Sequence, residues 1–130
     1  MLSRLKRLEE NLNILKSFSE ISVEDLKQDK TKEWAIRYGF YESIQIVIDI
    51  ACHLVSKYNL GAPQSYSECI ELLERYKYIP SKLAEKLIKM IGLRNLLAHE
   101  YAIIKPEKLL LYLKELQDFE DFINCVVEYL

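Results

Sequence analysis

Thr31 to Tyr58 reads TKEWAIRYGFYESIQIVIDIACHLVSKY. Tyr41, Ile44, Ile48, Ala51 and Val55 recur at helical spacing, and Phe40, Val47, Ile50 and Leu54 widen that stripe around the cylinder. A helix apolar over so much of its girth lies at the centre of a core, or is shared with a second subunit. This stretch predicts an all-α protein organised around one long helix.

The flanking sequence supplies the helices that pack on it. Upstream, Leu2, Leu5, Leu8, Leu12 and Leu15 repeat at spacings of three and four, predicting an amphipathic helix to about Phe18. Ser22-Val23-Glu24-Asp25 resembles a capping box and opens a short helical turn. Downstream, Gly61-Ala62-Pro63 breaks the long helix. Ser65-Tyr66-Ser67-Glu68 caps a helix carrying Ile70, Leu72 and Leu73 to about Tyr76. Pro80 suits the first turn of the next, which runs to about Ala98 with Leu83, Leu87, Met90 and Ile91 on its apolar stripe. Pro106 starts a last helix, in which Tyr112, Leu116, Phe119, Ile123, Val126 and Leu130 keep four-three alternation. No strand-like alternation or internal repeat interrupts this pattern. The expected fold is one domain over residues 1–130, an antiparallel bundle of four to five helices, homodimeric through the long helix and the seam of the last one.

With 130 residues, half of them hydrophobic, the chain can bury a core without metal or disulfide staples. No window approaches the roughly 18 unbroken apolar residues of a membrane span. The basic start Met1-Leu2-Ser3-Arg4-Leu5-Lys6-Arg7 meets Glu9 and Glu10 where a signal peptide needs its apolar run. The chain therefore reads as cytoplasmic, with no membrane partner. Cys52, Cys69 and Cys125 are far apart and odd in number, and read as reduced core or interface thiols. With His53 and His99 the only histidines, no zinc constellation assembles, and neither a metal nor a cofactor of its own is expected. The net charge of −2 argues against general nucleic-acid coating. The charge is unevenly spread, however. Arg75, Lys77, Lys82, Lys86, Lys89, Arg94 and Lys105 face only Glu85 and Glu100 in that span, whereas acids dominate from Glu115 onward. A locally basic face can hold a phosphate backbone, and it can equally be a solvated helix surface.

The chemistry concentrates in Arg94-Asn95-Leu96-Leu97-Ala98-His99-Glu100-Tyr101. Arg94 falls on the apolar stripe, four residues after Met90 and three after Ile91. A guanidinium there is costly to desolvate unless something pairs with it, which makes it a candidate anion site. Its fork binds two phosphate oxygens and never deprotonates. Imidazole suits proton transfer near neutral pH. Asn95 and His99 are four apart and share a helix face, so the amide can orient the imidazole or a phosphate oxygen. Arg94 and His99 are about 140° apart on a regular helix. They converge only if the helix loosens near His99 or two subunits supply the partners. A purely structural reading competes, in which Arg94 neutralises the helix end and His99 caps it. On the long helix, Asp49 and His53 are spaced to pair, and Arg37 lies within reach of Tyr41 and Glu42.

Arg94-Asn95-x3-His99-x-Tyr101 resembles the signature of the HEPN superfamily, specifically its HepT branch, the toxin half of HepT/MntA-type toxin–antitoxin pairs. The likeness extends to Arg37-Tyr38, the long helix through Asp49 and His53, Gly61-Ala62-Pro63 with Ser65-Tyr66, and Met90-Ile91-Gly92-Leu93. It implies a homodimeric helical bundle with a metal-independent endoribonuclease site. Arg94 and His99 would be catalytic, and Asn95 would support them. Tyr101 would receive AMP from an MntA-like nucleotidyltransferase antitoxin carrying ATP and Mg. Cleavage of this kind uses the neighbouring 2′-OH as nucleophile and leaves a 2′,3′-cyclic phosphate. Arg37, Asp49 and His53 form a possible secondary site. The alternative function is a non-catalytic accessory subunit that presents substrate to a nucleotidyltransferase, motivated by the acidic charge and the single motif histidine per chain.

Overall fold

A computed structural model describes residues 1–99 and 103–130. Among the described residues there are seven α-helices and no strand: α1 Leu2–Lys16, α2 Val23–Gln28, α3 Lys30–Lys57, α4 Tyr66–Arg75, α5 Ser81–Leu97, α6 Pro106–Leu113 and α7 Gln117–Val126. A short 3-10 turn, Val127–Tyr129, follows α7. The all-α bundle expected from periodicity is present, with more helices than the four or five predicted.

Local chemistry sets most boundaries. The Ser22 hydroxyl accepts from the Asp25 amide at the start of α2, and the Ser65 hydroxyl from the Glu68 amide at the start of α4. Asp29 caps α3 by accepting from the amides of Thr31 and Lys32. Gly61 has φ +154°, so the chain leaves α3 through a backbone shape that favours glycine. At Gly39 an added Cβ would lie 2.9 Å from Leu15 Cδ2, so its bareness lets α1 pack closely on α3.

α3 is the axis of the domain. Ile36, Phe40, Ile44, Ile46, Val47, Ile48, Ile50, Ala51, Leu54 and Val55 are buried within the one chain, under α1, α4 and α5. This removes the sequence argument that its apolar girth requires a second subunit, because the chain covers that girth itself. The final helix is also corrected. It breaks into α6 and α7 at Lys114–Leu116, where successive amides bond three residues back, Lys114 to Leu111 and Glu115 to Tyr112. No glycine or proline marks the bend. Packing imposes it: α6 lies against α2, and α7 against α5.

The cysteine reading is corrected too. Cys52 on α3 and Cys69 on α4 are joined in a disulfide with Cα atoms 5.2 Å apart, and Cys125 alone is free. Seventeen residues separate the pair in sequence, and only the packing of α4 across α3 brings them together. The lysines of α5, Lys82, Lys86 and Lys89, are exposed, and one of them also answers the acidic α7. Lys86 pairs with buried Asp118 at 3.4 Å, and Lys82 borders the same groove as Asp121.

Between α1 and α3, Arg7 and Asn11 each donate to Glu42 Oε1 at 2.9 Å, and the Tyr38 hydroxyl donates to Oε2 at 2.7 Å. These donors hold the Glu42 carboxyl at about 2, below its ordinary 4.5, with the Arg7 hydrogen bond the largest cause. A carboxyl depressed in the folded state contributes stability above its unfolded value and loses it as pH falls towards its folded one. Urea midpoints of the native chain should therefore drop between pH 4.5 and 2, and Glu42→Gln should flatten that drop. Identical pH profiles for the two proteins would contradict this role.

Candidate active site

The site forms where the last turn of α5 meets α3 and the start of α4. Half-buried Arg94 donates from Nε to Gln45 Oε1 at 2.9 Å and from Nη1 to Asn95 Oδ1 at 3.2 Å. Its guanidinium carbon lies 5.3 Å from the Tyr41 ring centroid and 5.5 Å from that of Tyr66. Each such contact contributes roughly 0.5–2 kcal/mol, depending on how dry it is. The arginine on the apolar stripe is thus accommodated by aromatic faces and two amides, and among the described residues no carboxylate pairs with it. A guanidinium has five N–H groups, and among the described residues these two bonds use two of them, so three can serve an anion.

A polar chain behind Arg94 fixes its direction. Gln45 Nε2 donates to Asp49 Oδ1 at 2.9 Å, and the other Asp49 oxygen is bonded to Arg4. Because Asp49 accepts, the Gln45 amide must turn its NH2 towards that carboxylate and its carbonyl towards Arg94. Asp49 is therefore engaged by Gln45 and Arg4, not by His53 as the spacing suggested. Half-buried His53 lies one turn further along α3. Arg37 pairs with Glu33 at 3.8 Å, one turn back, and not with Glu42, which Arg7, Asn11 and Tyr38 occupy. The expected Arg37, Asp49 and His53 grouping thus separates into distinct contacts. Asp49 connects to Arg94 through Gln45.

His99 stands just beyond α5. The helix ends at Leu97 with Ala98 as its cap, and the His99 amide bonds the Leu96 carbonyl at 3.1 Å. The imidazole-bearing residue is exposed and no longer bound by the 140° phase of a regular helix. Among the described residues, the partners of Arg94 are Gln45, Asn95, Tyr41 and Tyr66, and His99 is not one of them. Tyr101 and its expected modification lie outside the described residues. Among the described residues no three His, Cys, Asp or Glu side chains gather to hold a metal ion. No helix among them is long and apolar enough to cross a membrane.

Several neighbours were not legible in the sequence. Gln45 and Tyr41 carry no motif, and Tyr66 entered through a cap and the family resemblance with no link to Arg94. Arg4 and Arg7 come from α1 and, with Tyr41, Gln45 and Asp49, line a cavity of about 340 Å³ on the flank of the site. Spacing signals register residues on one helix, whereas these contacts join different helices.

The arrangement can offer guanidinium N–H groups to an anion, five residues before an exposed histidine. The chain belongs to the ribonuclease HepT-like family, whose sequence model matches residues 8–126. It is 33% identical over 101 residues to the mRNA nuclease HepT of Shewanella oneidensis, covering 77% of this chain and 76% of that protein. It is 28% identical over 129 residues to the tRNA nuclease HepT of Aphanizomenon flos-aquae, covering 98% and 88% respectively. The fold superposes on the tri-AMPylated Shewanella oneidensis HEPN toxin, solved in complex with MNT antitoxin. There the TM-score is 0.88 at 26% identity, over 98% of this chain and 96% of that one.

Proposed function

We propose that this chain is the endoribonuclease toxin of a type VII toxin–antitoxin pair, cleaving RNA with Arg94 and His99. The observation that carries the reading is the Arg94 guanidinium, pinned by Gln45 and the Tyr41 and Tyr66 rings with three N–H groups left over, in a member of a ribonuclease family. Its similarity to nucleases named for mRNA and for tRNA supports RNA as the substrate class.

In the proposed reaction the 2′-oxygen forms a bond to phosphorus while the bond from phosphorus to the 5′-oxygen breaks. A base takes the 2′-OH proton, an acid protonates the departing 5′-oxygen, and a 2′,3′-cyclic phosphate remains. His99 serves one of these transfers, and Arg94 stabilises the charge on the phosphorane oxygens. Asn95 supports Arg94 by accepting one of its N–H groups. The motif itself supplies a proton-transfer group and the cation, so the proposed step calls for no metal. The purified chain should cut RNA in excess EDTA and leave cyclic-phosphate ends. Intact RNA after incubation with verified unmodified protein would overturn the reading.

One histidine per site leaves either the acid or the base unassigned. A homodimer that brings both copies of His99 to one cleft fills both roles, and two-fold pairing is the commonest oligomer geometry. Light scattering should return a dimer. The working location is the cytoplasm, where RNA is at hand. The Cys52–Cys69 bond runs against a thiol-reducing compartment, so the alkylation state of both cysteines in protein from cells tests that placement.

The partner is an MntA-like nucleotidyltransferase that brings the ATP and Mg, as the antitoxin complexes of similar toxins suggest. Its target here is the Tyr101 hydroxyl, two residues past His99. AMP there adds bulk and a phosphodiester charge that competes for the Arg94 donors and repels the RNA backbone. Co-expression with the partner should add AMP to the native chain and none to Tyr101→Phe, which should keep at least part of its RNA cleavage. Peptide masses placing AMP on another residue would refute the assignment.

A further inference from the structure

Beside the end of α5 lies a second cavity, of about 310 Å³, lined by Trp34, Arg37, Tyr38 and Tyr41 from α3 and by Leu97 and Ala98 from α5. We propose that it is a nucleobase subsite, in which an unpaired base of the RNA next to the cut stacks on the Trp34 indole. The inference rests on the ribonuclease reading and adds to it where the substrate is held.

Position is the first argument. Tyr41 is shared between this cavity and the Arg94 guanidinium, whose carbon lies 5.3 Å from its ring. Ala98 is the residue before His99. The cavity therefore touches neighbours of both motif side chains, where the nucleotide adjoining a bound phosphate has to sit. Its size is at the small end of ligand sites, suited to one base and its sugar.

The chemistry of the walls is the second argument. Trp34 and Tyr38 are four residues apart on one face of α3, yet they are 62% and 60% exposed on the helix that otherwise fills the core. Among the described residues nothing buries either ring. Flat aromatic surfaces accept any base, because every base has a π face. Two cations border it: Lys30 Nζ sits 5.8 Å from the Trp34 ring centroid, and Arg37, paired with Glu33 at 3.8 Å, lies in the wall. Aromatic faces edged by positive charge match a base joined to phosphates better than they match the apolar face of a partner protein.

Trp34 is the only tryptophan, so its fluorescence reports on this cavity alone. A short unstructured oligoribonucleotide titrated into full-length His99→Ala protein should quench it saturably, in step with binding followed by anisotropy. In otherwise native protein, Trp34→Ala should raise KM for RNA by roughly 5- to 150-fold, with kcat far less affected. Trp34→Phe should restore most of the loss. Binding without quenching, or an unchanged KM in Trp34→Ala, would overturn the subsite. Loss of the dimer or of antitoxin binding in Trp34→Ala, with KM unaltered, would reassign the rings to a protein interface. If the native chain cuts no RNA at all, the ribonuclease reading fails. The quenching titration still decides by itself whether a base enters this cavity.

Discussion

Arg94→Lys is expected to cleave RNA about 10²–10³-fold more slowly than the native chain, nearly as poorly as Arg94→Ala. Lysine keeps the charge, but three features of the pocket require a planar fork. Gln45 Oε1 accepts a hydrogen bond from Nε, which holds the head-group at one angle. Tyr41 and Tyr66 present ring faces to the guanidinium carbon at 5.3 and 5.5 Å. The outward N–H groups are then paired in the geometry that two phosphate oxygens accept. A flexible ammonium offers a point charge without that registration. Single-turnover cleavage at saturating RNA measures the effect, and urea midpoints of the same preparations separate it from unfolding. Near-normal cleavage by the lysine variant would reduce Arg94 to a general positive field.

His99→Ala should lose about 10²–10⁴-fold in cleavage rate while folding as the native chain does. Its position explains the asymmetry. The residue is exposed beyond the end of α5, so its side chain contributes little to the core. A folded His99→Ala protein without toxicity would also dispose of the accessory-subunit alternative, under which growth arrest and partner binding survive the change. Mixing inactive Arg94→Ala and His99→Ala chains carries the test further. Recovery of activity on mixing means that one cleft draws residues from both copies. If light scattering confirms that mixed dimers form and no activity returns, each chain works alone.

The two substitutions probe different links between sequence and site. Arg94 was legible because it interrupts an apolar stripe at helical phase, which only a paired or functional cation does. His99 was legible because an imidazole five residues on, at a helix end, matches a motif. The support around them was not. Gln45 falls within the apolar run of α3 and looks like an ordinary polar interruption until α5 is laid across it. Asp49 read as a partner for His53 because both lie on one helix, and α1 then delivered Arg4 to it instead. The basic residues between Arg75 and Lys105 read as a phosphate-holding face or a solvated helix surface, and α7 then supplied Asp118 to pair with Lys86.

By itself, the sequence determined the helical class, the caps at Ser22 and Ser65, the break at Gly61 and the centrality of α3, and it singled out Arg94 and His99 as the proposed working pair. Each of these depends on residues near one another along the chain, where periodicity, turn chemistry and motif spacing act directly. Only the tertiary structure decided that the girth of α3 is buried within one chain and that the last apolar seam bends at Lys114–Leu116. It alone joined Cys52 to Cys69 and turned Gln45, Tyr41 and Tyr66 into the mount for Arg94. Those outcomes depend on how helices distant in sequence cross, and a one-dimensional pattern holds no record of a crossing until packing selects it.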